Sequence, residues 1–268
     1  MIRIYIYIDG ARGEFEEREV ESVRAYAQSL KNIPGFKSVT IKASGYNKGL
    51  ANSIIGGVSD IMNRHGRAIV LEDDLRVLPN FLAFMNSGLD KYEQDKRVYS
   101  ICGYTNKVRK PDGYKADSYF CTRTTSWGWA SWADRWNGVD WSYDNWDIWK
   151  KSRFRFNKWG GSDCFDLLRA NYLGKNDSWA IRFIFNQFLT DTYSLFPIKS
   201  LVANDGFDGS GTHCKRWSRF KHEMMLAEIR DFVFPDDVIE NKELHRDAMK
   251  YNSLGIRIWS KIMYMLSK

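Results

Sequence analysis

The chain has 268 residues, of which 44% are hydrophobic and 15% aromatic, enough for one large domain or two small ones with a sizeable core. Its formal charge of +7 suits an anionic partner (a phosphate-bearing ligand, an acidic membrane surface or nucleic acid) or plain solubility. The four cysteines stand far apart with no CxxC pair, which argues against zinc and disulfide frameworks. No apolar stretch approaches the roughly 18–20 residues of a membrane span. The opening MIRIYIYIDG lacks the basic region, apolar segment and cleavage site of a signal peptide, so a cytoplasmic location is expected.

Ile2–Ile8 reads as a strand of β-branched and aromatic residues ending at Asp9-Gly10. Glu16–Leu30 is helical by the spacing of Val20, Val23, Tyr26, Ala27 and Leu30. Ser38–Ala43 is a second strand, and Asn47–Met62 a second helix with Leu50, Ile54, Ile55, Val58 and Ile61 on one side. Ala68–Leu71 is a continuous apolar run, short enough for a buried strand. Strand and helix in alternation predict right-handed crossovers and a mostly parallel sheet. Ligands bind such sheets beyond the carboxyl ends of the strands, where Asp9 and Glu72–Asp74 both fall.

Phe81–Lys91 is predicted as a helix and Arg97–Cys102 as a strand. Beyond residue 105 the character changes. Trp127 to Trp159 holds eight of the eleven tryptophans among Gly, Asn, Asp and Ser, and reads as loops and short helices around an aromatic surface. Within it, Trp129, Trp132 and Trp136 stand at helical spacing, as for a helix packing its apolar face. Ala203–Cys214, ANDGFDGSGTHC, is a glycine-rich loop.

Three adjacent acids, Glu72, Asp73 and Asp74, repel one another unless water or a cation surrounds them. A divalent ion such as Mn²⁺ or Mg²⁺ prefers oxygen ligands and needs only one or two carboxylates besides substrate phosphates. A solvated turn or a helix cap is the other reading of the triplet. IVLEDDL…PNF, preceded by NKGLANSIIGGV, resembles the nucleotide-diphosphosugar transferases of the GT-A fold, closest to N-acetylglucosaminyltransferase I and to bacterial transferases of surface-polysaccharide loci. DSWAIR (177–182) and PIKSLVANDGFDGSGTHC (197–214) are similar to the bacterial group as well.

The resemblance implies an α/β, Rossmann-like fold with a mostly parallel central sheet and an aromatic-rich acceptor region. It covers roughly residues 2–215. The strand–helix unit that normally opens the family, with its YNR-like segment, has no counterpart here. The resemblance implies Asp74 as the metal ligand, with Glu72 and Asp73 facing the donor and Asp9 the uracil edge; Asn47 and His213 join the donor set.

The implied activity is metal-dependent, inverting transfer of a sugar from a nucleotide-diphosphate donor of the UDP-sugar kind. The acceptor would be a glycan or lipid-linked molecule in surface-polysaccharide assembly. An inverting transfer needs a carboxylate to take the acceptor proton. Asp177 stands in the matching D-x-W-x-x-R context, with Ser178 one register away. An N-cap on the helical run that follows is the competing reading of Asp177.

Trp127 and Trp179 are candidates for stacking on a sugar ring, against core packing for most of the tryptophans. Residues 1–240 are read as one catalytic domain, with a nucleotide half to about 104 and an acceptor half after it. Residues 241–268 form a basic amphipathic helix that could lie on an anionic membrane, dock on the domain or dimerise. The rival functions are a non-catalytic nucleotide- or sugar-binding domain and a metal-dependent phosphohydrolase. The dispersed basic residues and the lack of a recognition motif speak against nucleic acid.

Overall fold

The first apolar run forms strand β1 (Arg3–Ile8), and helix α1 (Glu17–Ser29) leads from it to β2 (Ser38–Ala43). The two strands pair in parallel, Arg3 opposite Ser38 through Ile8 opposite Ala43. On α1, Ala27 is buried and Val20 half-buried, while Val23 and Tyr26 face solvent, so its apolar stripe is only partly used. Helix α2 (Leu50–His65) follows. It comes close to β1 at Gly57, where a Cβ would already lie 3.3 Å from the Tyr7 ring. Asp60, one turn on, accepts a hydrogen bond from the Tyr7 hydroxyl at 2.6 Å and pairs with Lys42. These elements, α2 as far as Asp60, belong to one compact unit, residues 1–60 with 177–179; residues 61–176 with 180–268 make the other. The computed structural model describes residues 2–206, 220, 222–228 and 230–266.

The second unit is built on a five-stranded sheet. In chain order it holds β3 (Arg67–Val70), β4 (Leu75–Val77), α3 (Phe81–Tyr92), β5 (Val98–Cys102), β6 (Ser118–Cys121), β7 (Trp129–Trp132) and α4 (Ala133–Trp136). Then come α5 (Trp146–Trp149), α6 (Arg153–Gly160), α7 (Cys164–Tyr172), α8 (Ala180–Leu189), β8 (Tyr193–Pro197), β9 (Val202–Asn204), α9 (Lys242–Met249) and α10 (Leu254–Leu266). The sheet order is β3-β7-β5-β8-β6, with β4 and β9 paired separately.

The protein is therefore α/β, but this sheet is mixed. Only β5 and β8 run parallel; β7 enters antiparallel between β3 and β5, and β6 antiparallel beside β8. The expectation of a mostly parallel sheet counted strands only up to residue 102. The sheet's three later strands, β6, β7 and β8, were not anticipated, and two of them enter reversed.

The tryptophan spacing also misled. Trp129–Trp132 is a strand, not a helix, and all four residues are buried. Strand alternation explains it: Ala130 and Trp132 join the core under α3, whereas Trp129 turns to the other face and stacks on Trp136 and Phe183 at 5.5 and 5.1 Å. The α3 core holds Phe81, Phe84, Met85, Ile101 and Leu195. Val98 and Ile101, an odd number of residues apart, reach the same core because β5 carries a bulge between Val98 and Ser100. A second cluster, with Phe156, Leu168, Ile181 and Phe185, joins α6, α7 and α8.

The segment from 241 onward is two helices. Tyr251 and Asn252 are buried between them, and the Asn252 carbonyl accepts from Ser162 N and Oγ at 3.2 and 3.1 Å. Those contacts hold the chain in a turn that becomes extended at Ser253, and α10 starts in a new direction from there.

Candidate functional site

In the first unit, the start of α2 gathers three of the residues singled out by sequence. Asp9 follows directly on β1. Its Oδ1 accepts from the amides of Gly10 at 2.9 Å and Lys48 at 2.8 Å, and its Oδ2 from Gly49 at 3.0 Å. Asn47 Nδ2 donates to the Gly10 carbonyl at 2.8 Å. The two loops can approach this closely because residue 10 is glycine: a Cβ there would lie 2.3 Å from the Tyr46 carbonyl carbon.

Gly49 has a left-handed φ of +79° and leaves α2 without a capping side chain of its own. Asp177 supplies one across a sequence separation of 126, its Oδ2 accepting from the Ala51 amide at 3.2 Å. Asp177 was expected to be a base or the cap of the helix directly after it; the structure makes it the cap of α2. It is exposed, so the same carboxylate still meets solvent. Asp177 thus satisfies a first-turn amide and Asp9 those just before the helix, and both complement the positive end of α2.

Trp179 is 2% exposed. Its ring has no open face for a sugar, and the stacking expectation fails there because the residue is packed inside.

In the second unit, β3 ends at Val70 and the chain turns through Glu72–Leu75, the Leu75 amide donating to the Glu72 carbonyl at 3.3 Å. Asp73 is exposed at the tip; Glu72 and Asp74 are half-buried. The turn feeds β4, whose ladder with β9 continues past its last named pair, the Asp205 amide donating to the Asp74 carbonyl at 2.9 Å. That register sets Asp74 beside Asn204, whose Nδ2 donates to Asp74 Oδ2 at 2.9 Å. Asn204 is itself fixed by the Gly206 amide at 2.9 Å, and a Cβ on Gly206 would lie 2.8 Å from Asp74 Oδ2. Asp205 turns outward to Arg76 at 2.9 Å.

The other oxygen of Asp74, Oδ1, is buried and has no hydrogen-bond partner among the described residues. A buried carboxylate oxygen left so is costly unless a cation satisfies it. Among the described residues no group of three or more His, Cys, Asp or Glu is placed to hold a metal. A hard ion that keeps its waters and takes ligand phosphates needs fewer, so the donor set fits Mg²⁺ or Mn²⁺ through a single carboxylate.

Trp127 is half-buried. Its ring meets Tyr104 edge-on at 4.5 Å and Phe220 at 5.7 Å. Tyr104 in turn faces His222 at 5.5 Å, and burial holds that imidazole below its ordinary pKa. Trp127 keeps a partly open surface, unlike Trp179. His213 lies outside the described residues.

Sequence reasoning passed over Asn204. It stands in the quoted ANDG stretch, beside the glycines and the histidine; an Asn-Asp-Gly run after a short apolar strand was the available signal. The chain matches no family model, and no curated protein is significantly similar to it.

Proposed function

We propose that the chain is a metal-dependent glycosyltransferase domain of GT-A type, transferring a sugar from a UDP-sugar or related donor to a glycan or lipid-linked acceptor. The observation that carries this reading is the buried Oδ1 of Asp74, without a hydrogen-bond partner among the described residues, at the turn beyond β3 where the sequence resemblance expects a metal ligand. In the proposed site Asp74 holds the cation, and Asn204 fixes the carboxylate by occupying Oδ2. Mn²⁺ or Mg²⁺, when bound, would neutralise charge developing on the leaving diphosphate. Glu72 and Asp73 face the donor sugar and ribose, and Trp127 offers a partly open aromatic face. Asp177 is, on the sequence resemblance and its exposure, the candidate base for the acceptor proton.

A second reading, a binding domain without turnover, is favoured by the state of the unit 1 acids. Asp9 has both oxygens on backbone amides and Asp177 has one, as structural residues would.

Calorimetry with UDP, with and without Mn²⁺, tests the first reading on the intact chain and on Asp74→Asn. Metal-dependent binding that disappears in the variant is expected; equal metal-dependent affinity in both sinks the assignment. Binding without release of sugar from any UDP-sugar selects the second reading.

A further inference from the structure

α10 presents its apolar side to solvent. Leu254 is 60% exposed, Ile258 51%, Trp259 57%, Ile262 40% and Met265 65%. At 3.6 residues per turn these five side chains fall within an arc of about 140°. Ile256, Met263, Ser260 and Arg257 are half-buried on the opposite side, where Arg257 donates to Ser162 Oγ at 2.9 Å. A helix that needed only the domain would turn the broader apolar arc inward.

The same corner of the second unit carries a dense positive surface. Lys150, Lys151, Arg153, Arg155 and Lys158 are all exposed, with no acid among residues 150–158, and Phe154 between them is 79% exposed. This segment runs through α6 into Gly161 and Ser162, the residues that anchor the start of α10: Ser162 holds Asn252 and Arg257, and a Cβ on Gly161 would lie 2.6 Å from that of Asn252. The basic helix and the apolar helix therefore meet at one joint.

We infer that α6 and α10 together dock the protein on an anionic phospholipid surface, α10 sinking its apolar arc into the interface while the lysines and arginines of 150–158 meet the headgroups. A tryptophan at the border of an apolar arc is the side chain suited to that depth. Charge decides between occupants. A second copy seated across a twofold axis would bring two clusters of five cations together, offset in part by Asp147, which pairs with Lys150. A nucleic acid would satisfy the cations and leave the apolar arc in water. Only an anionic bilayer uses both. The inference does not rest on the transferase reading.

Sedimentation of the intact chain with vesicles tests it, comparing phosphatidylcholine alone with phosphatidylcholine mixed with phosphatidylglycerol. Binding to the mixed vesicles only, weakened by salt, is expected. Lys151→Ala with Lys158→Ala should lower the partition on the order of 25-fold, at about fivefold per basic residue. Ile258→Ser with Ile262→Ser should lower it roughly tenfold per residue, since each is about half exposed beforehand. All four positions are exposed, and unchanged melting and circular dichroism confirm that the variants fold. No sedimentation with either vesicle overturns the inference, as does equal binding to both or a serine pair without effect. A dimer that the serine pair dissociates, without vesicle binding by the parent, assigns the face to a second copy. Retention of DNA without vesicle binding overturns it in favour of nucleic acid. UDP calorimetry is indifferent to all of these outcomes, so failure here and failure of the transferase reading are separate results.

Discussion

The cap that Asp177 provides and the base role proposed for it separate under substitution. Asp177→Ala removes the acceptor for the Ala51 amide at the first turn of α2. Loss of an N-cap acceptor costs about 1 kcal/mol, and loss of a charge near the helix dipole adds about 0.3–1 kcal/mol. The bond is 3.2 Å long and the residue exposed, so the lower half of that sum is expected. One kcal/mol shifts Tm by about 4–8 °C for a unit of 60–100 residues, and about half that if the whole chain melts together. Asp177→Asn keeps an oxygen for the amide and should lose only the charge contribution, because Asn and Asp cap about equally. Transfer, in contrast, should fall on the order of 10²–10⁴ in the asparagine variant, since it cannot accept a proton. Calorimetric melting, hydrogen exchange at the Ala51 amide and turnover read the three quantities. An alanine variant that melts like the parent and protects Ala51 equally refutes the capping argument. A fully active asparagine variant removes Asp177 from catalysis.

Two further predictions follow from buried ionisable groups. Burial raises the pKa of Tyr92, Tyr99, Tyr104 and Tyr119 above the ordinary 10, so their protonated forms stabilise the fold fully below pH 10. That stability should drain as pH rises beyond 10 toward the native values, with the tyrosinate absorbance of these residues appearing only as the chain unfolds; gradual ionisation of every tyrosine in a folded protein would contradict it. Arg123 is held by Asp163 at 2.7 Å with both side chains largely buried, so Arg123→Ala should cost about 3–5 kcal/mol by stranding the carboxylate. Arg123→Met with Asp163→Leu should recover most of the loss in denaturant melts, and a double variant as unstable as the single one would deny that the stranded charge is the cause.

Much of the first hundred residues was legible because local pattern and tertiary burial agree there. β2 and α3 run close to the stretches that alternation and helical spacing mark out. Legibility failed where burial covers both sides of an element. In Trp129–Trp132 every residue is buried, so alternation carries no signal and a chance three-residue spacing imitates a helix. The break between α9 and α10 was hidden for another reason. It depends on Asn252 meeting Ser162, a contact between residues 90 apart that no local pattern reports. At the site, the triplet was visible as a cluster of charge, but its partner Asn204 required the β4–β9 register. Likewise, Asp177 looked like the cap of the helix that follows it because sequence shows only near neighbours.

The three carboxylates that follow strands or cap helices are not equivalent, and the difference bears on how a phosphate could be held. An α/β protein has two common anion receptors near strand ends: the free amides of a helix N-terminus, and a cation held by acids. The first is already occupied in α2. Asp9 takes the amides of Lys48 and Gly49, Asp177 takes that of Ala51, and both bring negative charge to the place a phosphate would need. Asp74 is the reverse case, with one oxygen fixed by Asn204 and the other buried and without a partner among the described residues. A diphosphate ligand would therefore find repulsion at α2 and, of these two receptors, attraction through a cation on Asp74. Nucleotide affinity in this protein should accordingly be metal-dependent almost in full, and a strong metal-free component would point to an anion receptor other than these two.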